Sequence, residues 1–263
     1  MNRILRFYKH LPSFGWNPII LTIGNGLFPS IDHELSRTVR KQTKVYKTNG
    51  EYTSAGKPTM APYGFTDKKN KSLYKKIIQI LKVNIIPDNR IYWFPFAMHK
   101  SKVIFQNHEI GLIFSSSPPQ TNHIISRQIS YKYDVPWICD VRDVWNDPFY
   151  VRQSGLRLKP IDWIDKVLEK KILSSADELI TVSPDYSRKY SKLTKKTVHT
   201  IFNGYDSDLY NNANPKNDFN DRIIITYSGS MSYNHRPSGF FRALKKIGEI
   251  KPEVFNRMDV EFI

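Results

Sequence analysis

The densest group of chemically capable side chains in this sequence is CDVRDVWND, residues 139–147. There Asp140, Arg142, Asp143 and Asp147 crowd around Trp145. Carboxylates beside a guanidinium can hold hydroxyls and anions, and an indole can stack on a sugar face. Charge this concentrated next to an apolar segment is costly to bury unless it is paired, so a structural Asp–Arg pair is the competing account. A second group is Ser115, Ser116 and Ser117 followed by Pro118 and Pro119. Three hydroxyls leading into a helix N-terminus can hold an anion or a sugar hydroxyl. Equally, one serine can cap that helix while the prolines fix the turn. Further groups are Ser183-Pro184, the run Asn203-Gly204-Tyr205-Asp206, and YSGS at 227–230 with Arg236 beyond it. Gly229 in that last turn would let a phosphate approach the backbone, and an arginine can fork onto its oxygens.

Other chemistries are disfavoured. There is no Gly-x-Gly-x-x-Gly, no Walker loop and no Gly-x-Ser-x-Gly elbow, which argues against dinucleotide binding, P-loop catalysis and a serine hydrolase. The seven histidines (10, 33, 99, 108, 123, 199 and 235) have no metal-ligand spacing, so no catalytic metal and no cofactor are expected. Cys139 is the single cysteine, which excludes a disulfide-stapled scaffold.

These groups need elements to hold them in place. RILRFYKHL sets Ile4, Leu5, Tyr8 and Leu11 at helical spacing from almost the first residue, and Pro12 and Gly15 end that helix. The apolar run 17–24 reads as a fully buried strand, 43–48 as a weaker one, 50–66 as a loop and 93–106 as a helix. From there the rhythm is regular: strands at 111–116, 136–141, 178–183 and 197–202 alternate with helices at 120–133, 162–176 and 185–193. Such alternation predicts right-handed βαβ units in a parallel, doubly wound α/β domain. In such sheets ligands bind outside the carboxyl ends of the strands, where the polar groups above fall. Residues 207–221 are polar and Asn-rich and read as a linker. A buried strand at 222–230, a helix at 239–250 and a strand at 258–263 then begin a second α/β unit.

The chain has 263 residues, 40% of them hydrophobic and 13% aromatic, which predicts a globular protein. No apolar run approaches the ~18 residues that span a bilayer, and the start lacks the apolar core of a signal peptide. Forty Lys and Arg against 24 Asp and Glu give a charge of +16. Residues 1–110 hold 18 of these cations and 6 of the acids, a balance of +12. Nucleic acid, anionic lipid and phosphorylated small molecules could each match such a charge. Residues 68–86 read as a basic amphipathic helix, with Leu73, Ile77, Ile80, Leu81 and Asn84 along one side and Lys71, Lys75, Lys76 and Lys82 elsewhere. That pattern suits either a membrane surface or an ordinary helix packed on a core.

Taken in order, RILRFYKHLPSFGWNPIILT, IFSSSPPQTNHIISRQIS, VPWICDVRDVWND, LEKKILSSADELITVSPDYS, IFNGYD and ITYSGS resemble family 4 glycosyltransferases, retaining nucleotide-sugar enzymes of GT-B type. The resemblance implies two Rossmann-like domains. Residues 1–206 would form the acceptor side, 207–221 the linker, and 222–263 the start of the donor-binding domain. It implies transfer of a sugar from a nucleotide-sugar to a glycan or lipid-linked acceptor, in cell-surface polysaccharide or glycolipid synthesis. The enzyme would be cytoplasmic, peripheral on the inner face of the membrane through residues 68–86, with no nucleic-acid partner. Arg142 and Asp143 would take the catalytic position. Ser115, Ser116, Ser117, Asp140, Trp145 and Asn203 would bind the acceptor, and Gly229, Ser230 and Arg236 the donor.

The chain departs from the family pattern at several points. Arg142-Asp143 stands where relatives often carry His-Asp, and Ser230 follows Gly229 where many carry arginine. The opening strand with its Gly-rich loop, and the closing glutamate pair, have no counterpart. A piece truncated at both ends, inactive alone, is therefore the expectation. The alternative is a non-catalytic basic α/β module for anionic lipid or nucleic acid, which predicts a continuous basic face with interleaved aromatics rather than a polar cluster at strand ends.

Overall fold

The computed structural model describes residues 2–24, 44–48, 80, 84–145, 157–205, 222–229 and 237–263. They fall into two compact units, one up to residue 205 and the other from 222 onward. The segments 50–66, 68–79, 146–156 and 207–221, together with Ser230 and Arg236, lie outside the described residues. Most of the expected basic helix, the linker and part of the donor turn are among them; of residues 68–86, Ile80 is helical and Asn84–Ile86 form a turn, where the helix was expected to continue.

In the first unit, helix α1 (Asn2–His10) runs into a tight 3-10 turn at Leu11–Phe14. Gly15 closes it at φ +82°, a left-handed conformation that a side chain disfavours, and its N–H donates to Pro12 O at 3.1 Å. Strands β1 (Ile20–Ile23) and β2 (Val45–Thr48) pair in parallel as a separate two-stranded sheet. The apolar run predicts a fully buried strand, but every residue of β1 is only half-buried. With one partner strand and helix α2 (Phe94–Asn107) packed against it, β1 lacks the layers that would seal it.

The main sheet has four parallel strands in the order β3 (Ile113–Ser117), β4 (Trp137–Val141), β5 (Glu178–Thr181) and β6 (Val198–Thr200). Helices α3 (Thr121–Tyr133), α4 (Lys159–Ser174) and α5 (Pro184–Thr194) link consecutive strands. Because right-handed crossovers between adjacent parallel strands all turn the same way, the three helices share one face. This is an α/β fold with a Rossmann-like parallel sheet flanked by helices.

Register sorts the side chains into two rows. Ser115, Cys139, Leu179 and Val198 stand side by side, as do Ser116, Asp140, Ile180 and His199. The first row faces the three crossover helices. Together with Trp137, Val141, Ile172, Leu173 and Tyr190 it forms the main core, in which Trp137, Cys139, Val141 and Leu179 are at most 1% exposed. The second row faces α1, whose Phe7 ring lies 5.4 Å from that of Phe114.

The second unit pairs β7 (Ile223–Tyr227) with β8 (Met258–Phe262) in parallel, and helices α6 (Ser238–Ile250) and α7 (Pro252–Phe255) lie between them in sequence. The apolar strand at 222–230 was expected to be buried. Instead Ile223 and Ile224 are about 40% exposed, and none of this unit's described residues is buried. Two strands and two helices do not supply enough layers to enclose an apolar row. Helix α7 is a short turn that the periodicity did not indicate; it starts at Pro252, a residue pre-set for a first helical position. No helix among the described residues is long and apolar enough to cross a membrane.

Candidate functional site

The carboxyl ends of β3 to β6 converge on one rim of the first unit, where a cleft of about 840 Å³ opens. Arg142 and Asp143 reach it from β4, and Asn203 and Gly204 from the end of β6. The start of α5 contributes Ser183, Asp185 and Tyr186, the β3 turn contributes Pro118, and α1 lays Arg3 and Arg6 across it. Its volume suits a small organic ligand.

Arg3 anchors this rim from beneath. Its Nε donates to both carboxylate oxygens of Asp140, at 3.2 and 3.1 Å, and its Nη2 donates to Oδ1 at 2.9 Å. Arg3 Nη1 donates to Ile201 O at 2.7 Å and approaches Asn203 Oδ1 at 3.5 Å, so one side chain ties α1 to the end of β6. Ser116 Oγ donates to Asp140 Oδ2 at 2.7 Å. Asp140 is fully buried and Arg3 is 9% exposed, so the pair is desolvated and its charges are met by each other and by added hydrogen bonds. Asp140, expected to bind acceptor, is thus the structural partner of Arg3. The structural Asp–Arg pair exists, but the arginine comes from 137 residues away rather than from Arg142.

Arg142 has a different task. Its Nε donates to Ser117 O at 3.0 Å and its Nη2 to Pro118 O at 3.3 Å, which holds the β3 turn against β4 and leaves the guanidinium half-buried at the cleft. Asp143 beside it is exposed. Arg6 Nη1 is buried without a hydrogen-bond partner. It lies over Gly204, where an added Cβ would come within 3.6 Å of it.

The three serines divide by strand alternation. Ser115 and Ser117 point into the core side and Ser116 to the α1 side. Ser115 Oγ accepts from Trp137 Nε1 at 2.7 Å and lies 2.8 Å from His123 Nδ1. His123 is fully buried; burial, with the charge of Arg142 as a lesser cause, pushes its pKa down from 6.5 to about 3, so it is neutral. Ser117 Oγ is buried without a partner. None of the three lines the cleft through its hydroxyl, and none caps α3. That cap is Asp88, which accepts from Thr121 N at 2.9 Å and Thr121 Oγ1 at 2.8 Å.

Trp145, expected to stack on the acceptor, is instead only 7% exposed. Its N–H donates to Tyr190 Oη at 3.0 Å and its Nε1 to Asp165 Oδ1 at 3.1 Å. Asp165, also paired with Arg157, is buried, and burial raises its pKa against the opposing pull of Trp145 and Arg157. Burial raises the Tyr190 phenol as well. Trp145 and Arg157 hold Asp165 inward; Glu169 of α4 is buried as well, while Trp163, Ile164 and Val167 are exposed.

In the second unit Gly229 has φ +151°, a conformation that disfavours any side chain, and its N–H donates to Ile263 O at 3.0 Å. Ser230 and Arg236 lie outside the described residues, so the donor turn is described only up to Gly229.

The structure therefore brings Arg142, Asp143 and Asn203 together at one cleft and places Ser115, Ser117 and Trp145 in the interior. It adds Arg3, Arg6, Asp185 and Tyr186, which the sequence reading missed, beside Ser183 from the Ser183-Pro184 pair singled out there. Arginines three apart on the first helix were the available signal, since that spacing sets both on one face. Among the described residues no three His, Cys, Asp or Glu side chains are grouped as metal ligands. Neither protein-family models nor curated proteins match this chain.

Proposed function

We propose that the chain serves a retaining glycosyltransferase of GT-B type, similar to family 4. Its first unit would hold a glycan or lipid-linked acceptor, and its second would contribute to binding of a nucleotide-sugar donor. The reading rests on the resemblance in sequence order. The observation that carries it in three dimensions is the strand-end cleft, where the exposed Asp143 carboxylate stands beside Arg142. Asp143 accepts a hydrogen bond from the acceptor hydroxyl and fixes its direction, while Arg142 holds the turn that shapes the wall. As the glycosidic C–O bond to the nucleoside diphosphate breaks, the acceptor oxygen bonds to the same face of the sugar carbon. Its proton passes to the departing phosphate, so no protein base is required. The setting that fits is cell-surface polysaccharide or glycolipid synthesis on the inner face of a membrane.

The test is release of nucleoside diphosphate from a panel of nucleotide-sugars in the presence of polyprenyl diphosphate-linked glycans. In a fusion that places a full GT-B donor-binding domain after residue 221, transfer is expected, and Asp143→Asn should slow it about a hundredfold through lost orientation. No transfer from any donor, or turnover indifferent to that substitution, would contradict the reading.

A further inference from the structure

We infer that Arg6 and Arg142 form a phosphoryl-binding site in the strand-end cleft, which takes the phosphate or diphosphate of the acceptor. The inference deepens the acceptor role proposed for this rim and rests on it. Among the described residues three arginines reach the cleft, and they are not equivalent. Arg3 is neutralised by Asp140 and spends its remaining donors on Ile201 O and Phe202 O. Arg142 meets only backbone carbonyls, which direct its guanidinium without cancelling its charge. Arg6 is half-buried and lines the cleft, and its Nη1 is covered without an acceptor, so a small shift that admits an oxygen would satisfy it.

Among the described residues, the carboxylates at the cleft do not fill that need. Asp140 is occupied by Arg3 and Ser116, and Asp185 pairs with Arg188. Asp143 is exposed and makes no ion pair with either arginine. Gly204, directly beneath Arg6 Nη1, leaves the room that a Cβ would take. A planar guanidinium presents paired donors to a tetrahedral phosphate, and two of them can divide the charge of a diphosphate. Asp143 in the same cleft suits a hydroxyl and repels phosphate. A ligand that carries both groups, as a glycosyl phosphate or a polyprenyl diphosphate-linked sugar does, uses all three side chains.

Inorganic pyrophosphate is the probe, titrated calorimetrically into the full chain at two salt concentrations. It is expected to bind, more weakly at high salt. Arg6→Gln and Arg142→Gln should each weaken it at least about tenfold, and Asp143→Asn should not weaken it. Circular dichroism and melting of each variant separate loss of the site from loss of the fold, and Arg6→Lys, which keeps the charge, should restore part of the affinity. No pyrophosphate binding, or binding that folded forms of both glutamine variants retain, overturns the site. A short prenyl diphosphate that competes with pyrophosphate at least as well as a nucleoside diphosphate supports the acceptor assignment. Clear preference for the nucleoside diphosphate overturns that assignment. The measurement needs no turnover: pyrophosphate binding without sugar transfer leaves the site standing and removes the glycosyltransferase reading.

Discussion

The two faces of the four-stranded sheet put neighbouring residues to opposite uses. Toward α3, α4 and α5, the row containing Ser115, Cys139 and Leu179 is sealed; Ser115 Oγ joins Trp137 Nε1 and His123 Nδ1, while Ser117 Oγ and His123 Nε2 are buried without partners. Toward α1, the row one residue later holds Ser116 and Asp140, and the Arg3 that neutralises Asp140 also donates to Ile201 O at the rim where the cleft opens. The sealed face carries apolar burial, and the α1 face spends a desolvated ion pair on positioning. A period of two is all that separates the two roles, which is why a run of three serines can serve both.

The largest expected effect tests whether that ion pair is structural. Asp140→Ala leaves the Arg3 guanidinium buried without a counter-charge and should lower the unfolding free energy by about 3–5 kcal/mol in chemical denaturation. The double variant Arg3→Met, Asp140→Leu should recover most of that loss, because replacing both partners removes the uncompensated charge. A single variant as stable as the parent would erase the contrast between the faces.

An effect that reaches a comparable size only in acid belongs to the sealed face. His123 stays neutral in the fold down to about pH 3, whereas its ordinary value is 6.5. Between those values the unfolded chain binds the extra proton. Stability is therefore full above pH 6.5 and falls as pH drops toward 3, at up to about 1.4 kcal/mol per pH unit. The difference between the parent and His123→Gln isolates this slope from other titrating groups, and equal pH profiles would show that the imidazole is not sealed. Arg142 contributes to the low value, so its replacement should move the lower end of the window slightly upward.

The alternation of elements was legible because strand and helix periods differ, and most boundaries fell within two or three residues. Boundaries still mattered for the site. The strand expected at 111–116 runs from Ile113 to Ser117, which places Ser117 within β3 rather than in a turn. Hydroxyls on the buried side broke the apolar alternation that would have marked them as inward. Trp145 lay in a cluster of charges, and only Asp165 and Tyr190, 20 and 45 residues later, reveal it as interior. The pairing of Arg3 with Asp140 and the capping of α3 by Asp88 join residues 137 and 33 apart, which no local pattern encodes. In the second unit the apolar pattern did identify β7, β8 and α6. It did not foretell their exposure, which depends on how many layers surround them.

The most direct test of the division between a sealed face and a ligand-binding rim is hydrogen exchange on the full chain with and without saturating pyrophosphate. The expected result is added protection at the amides of residues 3–8, 117, 142–143, 183, 185–187 and 203–205, with exchange in the interior of α4 and the first residues of β4 unchanged. Protection that spreads through the sealed face, or none at the strand ends despite saturation, would contradict the account.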